Sequence, residues 1–143
     1  MGFGLGAAIG AAIGTGERRA LVIGDGGFGM CLNELATAVT YHVPVVILLM
    51  NNGVLGMVRQ WQTLIKGKRY SQTNLDRGPD FVKLAEAYGL KGRRVATVAE
   101  LEDAIKEAVS WGHGYVIDCA IDMDEMVKPM VAGGSHITKF IVC

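Results

Sequence analysis

The segment Val45 to Met50 is continuously apolar and rich in β-branched residues. A run of this length without polar alternation reads as a strand buried on both faces, the position of an interior strand in a parallel sheet. Ala20 to Ile23 is a second short β-rich run, stopped by Gly24, and also reads as a buried strand. Arg93 to Val98 and Tyr115 to Ile121 are two more. Between them lie segments with helical spacing. Leu5 to Ile13 reads as a buried helix of small apolar residues, and Phe28 to Tyr41 as one helix with Leu32, Leu35, Ala36 and Val39 on its inner face. His42-Val43-Pro44 ends that helix, because proline disfavours helix in the residue before it. Met57 to Leu64 reads as a helix or an ordered lid. Pro79 to Tyr88 reads as a helix with proline in its first position and Gly89 after its end. Ala99 to Trp111 reads as a helix burying Leu101, Ile105, Ala108 and Val109. The stretch from Lys66 to Gly78 is loop-like, and the tail from Asp122 to Cys143 is irregular. Strands alternating with helices predict an α/β fold, a three-layer sandwich with a mainly parallel sheet flanked by helices.

Length and charge narrow the function. The 143 residues suit one domain. Fourteen basic side chains balance 14 acidic ones, which argues against nucleic acid as a partner and gives no attraction to an anionic membrane. Half the residues are hydrophobic but only 7% are aromatic, so some apolar surface is expected to meet another protein surface. Cys31, Cys119 and Cys143 are scattered without a CxxC pair, which fits a reducing compartment and not a zinc site. The apolar start lacks a preceding basic residue and is too short and glycine-rich for a signal peptide or a membrane span. Gly6 occupies the position where a myristoylation signal wants Ser or Thr. His42, His113 and His136 read as surface or capping residues, Glu34 as a helix-surface or structural contact, and Asp122, Asp124 and Glu125 as a solvated acidic cluster.

In open α/β sheets, ligands bind beyond the carboxyl ends of the strands. Two predicted strands end there in polar, glycine-containing loops, Gly24-Asp25-Gly26-Gly27 and Asn51-Asn52-Gly53. Gly24-Asp25-Gly26-Gly27-Phe28-Gly29 matches the dinucleotide pattern GxGxxG. Two features count against that reading. Asp25 would stand against a pyrophosphate with no cation between them, and asparagines occupy the next strand end, where a ribose-gripping acid belongs. A divalent metal reconciles the residues. Mg²⁺ takes hard oxygen ligands and shares them with phosphates. The Asp25 carboxylate, the Asn52 amide oxygen and a loop carbonyl can supply three, leaving the rest to a diphosphate and water. The helix expected to begin near Phe28 adds free N–H groups toward the anion. Either loop alone is an ordinary turn; both together, at matched strand ends, make a site.

A GDG motif, a spacer in the mid-twenties and then NN resembles the signature of thiamine-diphosphate enzymes. The resemblance implies Asp25 and Asn52 as metal ligands, with the backbone carbonyl of Val54 as the third. Further along, Gly56-Met57-Val58-Arg59-Gln60-Trp61-Gln62, Arg69-Tyr70-Ser71, Pro79-Asp80-Phe81, Lys83-Leu84-Ala85-Glu86 and Lys128-Pro129-Met130-Val131-Ala132-Gly133-Gly134 look like the biosynthetic acetolactate synthase catalytic subunit, whose C-terminal cofactor domain the chain resembles over nearly its whole length. That resemblance implies cofactor contacts at Gly24, Asp25, Gly26, Gly27, Asn52, Val54, Gly56 and Met57, a propping role for Met1, and a substrate channel lined by Met57 and Trp61. It implies a lid over about 54–78 and a C-terminal tail over about 122–143. Gly6 and Gly27 depart from the proline and serine usual in the family.

The family's reaction is decarboxylation of pyruvate followed by carbon–carbon bond formation with a second 2-ketoacid, in branched-chain amino-acid biosynthesis. Its cofactors are thiamine diphosphate and Mg²⁺, with FAD on a domain not matched here. Its partners are a pyrimidine-binding domain of the same or a neighbouring subunit, further copies in a homo-oligomer, and a regulatory subunit. Its location is the cytoplasm, or an organelle in eukaryotes. The glutamate that drives cofactor ionisation lies on the pyrimidine-binding domain, so no catalytic residue is assignable in this chain. The match begins in mid-domain, so a fragment or a partner-dependent subunit is expected, inactive on its own. Two other readings stay open: a subunit of another thiamine-diphosphate-dependent 2-ketoacid decarboxylase, and a non-catalytic cofactor-binding module.

Overall fold

A computed structural model describes residues 1–75 and 78–142. Asp76 and Arg77 in the predicted loop, and Cys143, lie outside the described residues. Elements follow in chain order: α1 (Gly4–Thr15), β1 (Arg19–Gly24), α2 (Asp25–Gly29), α3 (Leu35–Thr40), β2 (Val45–Asn51), α4 (Gly56–Leu64), α5 (Phe81–Ala87), β3 (Lys91–Val95), α6 (Val98–Trp111), β4 (Tyr115–Ala120), and a short antiparallel pair, β5 (Met130–Val131) with β6 (Phe140–Ile141). The first four strands form a parallel sheet in the order β1-β2-β4-β3. The fold is the expected α/β sandwich.

The strand β2 is interior, and its alternating residues feed two cores. Val45, Ile47 and Leu49 join Val116 on one face, covered by Leu5 and Ile9 of α1, Phe28 of α2, Leu35 and Ala38 of α3, and Phe81 and Ala85 of α5. Val46 joins Tyr115, Ile117 and Cys119 on the other, covered by Ala104 and Ala108 of α6. Each such aliphatic or aromatic side chain contributes roughly 1.5–3 kcal/mol on burial. Phe28 and Phe81 meet edge to face at 5.8 Å, which ties α2 to α5.

Several sequence expectations need correction. The strand β1 is not buried but lies at the sheet edge. Leu21 and Ile23 pack into the first core while Val22 is 66% exposed on the opposite face. The helix α1 buries only one stripe, Leu5, Ile9 and Ala12, and leaves Ile13 exposed. The single helix expected over Phe28 to Tyr41 is three pieces: α2, a 3-10 turn over Leu32–Glu34, and α3. Three glycines give α2 little intrinsic helicity. A turn at Met30–Cys31, with Cys31 at φ −137°, lets both Phe28 and Leu35 reach the core. The helix α5 begins at Phe81 and not at Pro79, and Asp80 caps it, its carboxylate accepting from the amides of Val82 and Lys83. The strand β3 starts at Lys91 and stops at Val95, because the segment up to Val98 is taken by a helix cap. In α6 the buried residues are Ala104 and Ala108, whereas Ile105 and Val109 are exposed. Small side chains let the helix lie close on β3 and β4, which rotates the larger ones to its flank.

The start of α6 is a capping box. Thr97 Oγ1 accepts from the Glu100 amide at 3.2 Å, and Glu100 Oε2 accepts from the amides of Ala96 at 2.8 Å and Thr97 at 3.0 Å. Those backbone donors, Ala96 first and then Thr97, hold the Glu100 carboxyl below its ordinary pKa. A carboxylate lowered on folding stabilises the fold above its unfolded pKa, and that contribution fades as pH falls through the folded value. Thr97→Ala is expected to destabilise the chain by about 1 kcal/mol in urea titration. Glu100→Gln should show its largest loss at neutral pH and a shrinking one below about pH 4. A loss equal at pH 7 and pH 3 would show that the charge is irrelevant.

Candidate functional site

The register of the sheet builds the site. Gly24 pairs with Met50, so Asp25 leaves β1 beside the point where Asn51 and Asn52 leave β2. Asp25 opens α2 and is only 7% exposed. Burial raises its carboxyl pKa, and the charge of Asp118 adds to that; the backbone amides of Gly26, Asp25 and Gly53 oppose it. A carboxylate stripped of water but faced by amides is a strong site for a cation, which replaces the lost solvation. The helix behind it starts at Asp25, three residues earlier than expected, and is a single turn. Its dipole is correspondingly small.

The second loop is shaped by its asparagines. Asn52 Oδ1 accepts from the Val54 amide at 3.1 Å, and Asn51 Oδ1 accepts from the Gly53 amide at 3.3 Å. Gly53 has φ +67°, a left-handed conformation that glycine adopts without strain. Gly56 lies close to the asparagine: a Cβ there would lie 2.7 Å from Asn52 Nδ2 and would displace that amide. Val54 is fixed by an antiparallel bridge to Asn74, made through Leu55 N–H to Thr73 C=O and Leu75 N–H to Gly53 C=O. The ladder bonds thus fall on the residues either side of Val54. Among the described residues no group of three His, Cys, Asp or Glu side chains could hold a metal. Asp25 with its carboxylate, Asn52 with its amide and Val54 with its backbone carbonyl line one cleft. That set suits a hard cation and leaves coordination positions for phosphate oxygens.

These residues border a cleft of about 530 Å³. Met1, Gly24, Asp25, Gly26, Gly27, Asn52, Val54, Gly56 and Met57 all line it, so the structure brings together every residue singled out in the sequence except Trp61. Trp61 sits one turn beyond Met57 on α4, and its ring reaches toward the tail, 3.9 Å from where a Cβ of Gly133 would be. His42, His113 and His136 do not line the cleft. A second, largely apolar hollow of about 360 Å³ lies across Asp25, Gly26 and Leu55, against Met30, Leu75 and Phe81.

The tail supplies a wall that the sequence did not reveal. Ile121, Glu125, Met126 and Val127 line the cleft, while Asp122, Asp124 and Glu125 are exposed as expected. Asp124 pairs with Arg59 at 2.7 Å, and the Arg59 guanidinium stacks 4.0 Å over the Tyr70 ring. Gln60, 3% exposed, donates to the Val127 carbonyl and accepts from the Val127 amide, both at 2.9 Å. These bonds hold α4 to the tail across 67 positions of sequence. The one available signal was a glutamine on the inward stripe of an amphipathic helix, where an unpaired amide would be costly.

Comparison with known proteins agrees with this geometry. The family described as thiamine pyrophosphate enzyme, C-terminal TPP binding domain, matches residues 1–119. The chain is similar to a probable acetolactate synthase large subunit of Methanococcus aeolicus, 44% identical over 142 residues, covering 99% of this chain and 24% of that protein. The mitochondrial acetolactate synthase catalytic subunit of Saccharomyces cerevisiae is 48% identical over 142 residues, again 99% of this chain but 20% of the relative. The chain therefore spans a quarter or less of the length of these relatives. Among solved structures, the thiamine diphosphate-dependent 4-hydroxybenzoylformate decarboxylase of Rhodococcus jostii RHA1 superposes with a TM-score of 0.80 at 35% identity, over 88% of this chain and 24% of that one. The chain belongs to the family of C-terminal thiamine-pyrophosphate-binding domains of thiamine pyrophosphate enzymes.

Proposed function

We propose that the chain is the diphosphate- and Mg²⁺-holding domain of an acetolactate synthase. The observation that carries this reading is the pairing of Gly24 with Met50, which sets Asp25 and Asn52 on one cleft in a family of cofactor-binding domains. The acetolactate synthase assignment draws support from relatives 44–48% identical along 99% of the chain. The likeness to a decarboxylase structure at 35% identity keeps a second reading, a subunit acting on a different 2-ketoacid.

In the proposed site Asp25, Asn52 and the Val54 carbonyl would hold Mg²⁺, and the amide of Gly27 would face the diphosphate. Thiamine diphosphate, when bound, supplies the electron sink for decarboxylation of a 2-ketoacid. The chain's own part is to anchor and orient, and to exclude water. The Gln60-clamped tail and α4 form the walls that do so, with Met1, Met57, Met126 and Val127 presenting apolar surface. Trp61 would extend the channel beyond Met57 only in company with surfaces outside this cleft. The residues 54–78 act as the lid and 122–143 as the tail. Partners on this reading are a pyrimidine-binding domain of the same or a neighbouring subunit, further copies in a homo-oligomer and a regulatory subunit; FAD would sit on another domain. The cytoplasm, or an organelle in a eukaryote, is the proposed location. Among the described residues no helix is long and apolar enough to cross a membrane.

Binding of thiamine diphosphate is expected to require a divalent metal, because the desolvated Asp25 carboxylate otherwise repels the diphosphate. Calorimetry with Mg²⁺ and after chelation tests this, and equal affinity in both would sink the metal assignment. Asp25→Ala should abolish metal-dependent binding, and Asp25→Asn should weaken it strongly, keeping an oxygen but losing the charge.

The 143-residue chain by itself is expected to make no acetolactate. With Asp25 given to the metal, Glu125 on the exposed tail is the remaining carboxylate lining the cleft among the described residues. A missing general base alone removes about 10²–10⁴-fold in rate. Colorimetric assay with thiamine diphosphate, Mg²⁺, FAD and pyruvate gives the answer. Turnover within about tenfold of an ordinary enzyme's roughly 10 s⁻¹ would overturn this expectation and make Glu125 the first candidate base.

A further inference from the structure

Asp118 is the one charged residue in the strands of the sheet interior that the proposed chemistry does not use. It is 3% exposed, near the end of β4, on the same face as Val116. A buried carboxylate is expensive unless it is held by donors. Among the described residues it pairs with the cation Arg94 of β3, whose Nε lies 3.9 Å from Oδ2 on a side chain that is itself mostly exposed. That contact is too long to be a strong hydrogen bond. The close partner is Asn51, whose Nδ2 donates to Asp118 Oδ1 at 2.9 Å.

The consequence runs through the asparagine. A carboxylate can only accept, so it fixes which end of the Asn51 amide turns toward it. With Nδ2 committed to Asp118, Oδ1 points the other way, where it accepts from the Gly53 amide at 3.3 Å. Gly53 precedes Val54 and takes the left-handed turn that carries the chain past Asn52. The Gly53 amide also faces the Asp25 carboxylate. A path of two hydrogen bonds therefore leads from the interior of β4 to the loop that presents Asn52 and Val54.

We infer that Asp118 is a positioning residue: through Asn51 it sets the Gly53 turn, and so the placement of the Asn52 amide and Val54 carbonyl toward a divalent cation. The cation part rests on the function proposed above; the hydrogen-bond path to Gly53 does not. Outer partners of metal-ligating groups commonly govern metal affinity by 10–100-fold. The carboxylate acts here by accepting a bond, so an asparagine at 118, which can also accept, should largely replace it, while an apolar residue of similar size should not.

The experiment uses the 143-residue chain and two readouts. The first, without metal or cofactor, is amide hydrogen exchange at Gly53, with the amides of Val46 to Leu49 reporting global opening. Asp118→Leu should speed Gly53 exchange by about tenfold or more beyond any change in the strand, and Asp118→Asn should leave it near wild type. Gly53 exchange that is unchanged, or that rises only in step with the strand, overturns the path. The second readout is calorimetric binding of thiamine diphosphate with Mg²⁺. Asp118→Leu should weaken it about 10–100-fold and Asp118→Asn by less than about threefold. Asn51→Ala should match Asp118→Leu, and combining the two should add nothing, since they cut one path. Additive losses, or an Asp118→Asn variant as weak as the leucine variant, would mean that charge and not placement matters, and would overturn the inference. If the leucine variant does not fold, Asn51→Ala carries both readouts, and an unaltered Gly53 amide in it has the same overturning force. Failure of the wild-type chain to bind with Mg²⁺ refutes the cofactor reading alone, because Gly53 exchange judges Asp118 without any ligand.

Discussion

The parallel pairing of β1 with β2 is the constraint on which the site depends. Gly24 opposite Met50 puts the two polar loops side by side. A slip of one residue would separate them, and hydrophobic burial forbids it. Side chains alternate across a strand, so a one-residue slip carries Val45, Ile47 and Leu49 out of the core under α1, α3 and α5 and sends Val46 into it. The two cores are built on opposite phases of the same strand. Packing far from the cleft therefore decides which residues face it, and the placement of Asp25 beside Asn51 and Asn52 rests on aliphatic side chains.

Against that apolar frame the end of the sheet concentrates negative charge. The chain is neutral as a whole, yet Asp25 and Asp118 are both buried and close enough for each charge to oppose the other. Two such carboxylates are a poor way to stabilise a fold, since desolvation offsets what hydrogen bonds return. They are a good way to hold a cation, whose charge repays both at once. Asp118 is satisfied by Asn51, while Asp25 is met only by backbone amides. Of the two, Asp25 is the one at the cleft, which is where a metal would meet it.

Much of this was legible in the sequence because it is local. The uninterrupted run Val45 to Met50 has one sensible place in an α/β fold, and loops of Gly, Asp and Asn after strands announce a ligand-binding edge. What stayed hidden depends on distant partners or on backbone entropy. Helical spacing continues through Met30 and Cys31, so periodicity alone cannot show that the glycines of α2 break the helix there. Ala104 looks less like a core residue than Ile105 and Val109, yet close approach of α6 to the sheet selects it together with the expected Ala108. Asp118 and Gln60 each find their partners 67 positions away, and nothing in a linear pattern marks a lone Asp in a strand as the neighbour of a particular asparagine. Asp122, Asp124 and Glu125 are exposed as the sequence suggested, but the pairing of Asp124 with Arg59 was hidden for the same reason: its context is α4, which the chain had already left.

The clamp between α4 and the tail limits how the cleft can open. Gln60 makes both of its backbone bonds to one residue, Val127, and does so out of water, so breaking them would strand an amide and two backbone groups. Arg59, held by Asp124 and stacked on Tyr70, adds a second tie one residue earlier. Opening by swinging α4 away from the tail is thus costly, whereas moving the two together against the sheet leaves every one of these bonds intact. The rim they share is rich in exposed or half-exposed apolar side chains, Met57, Val58, Met126 and Val127. Methionine adapts to irregular surfaces at little conformational strain. A rim of that kind, carried on two segments tied together by these bonds, is suited to meeting a second apolar surface across the cleft.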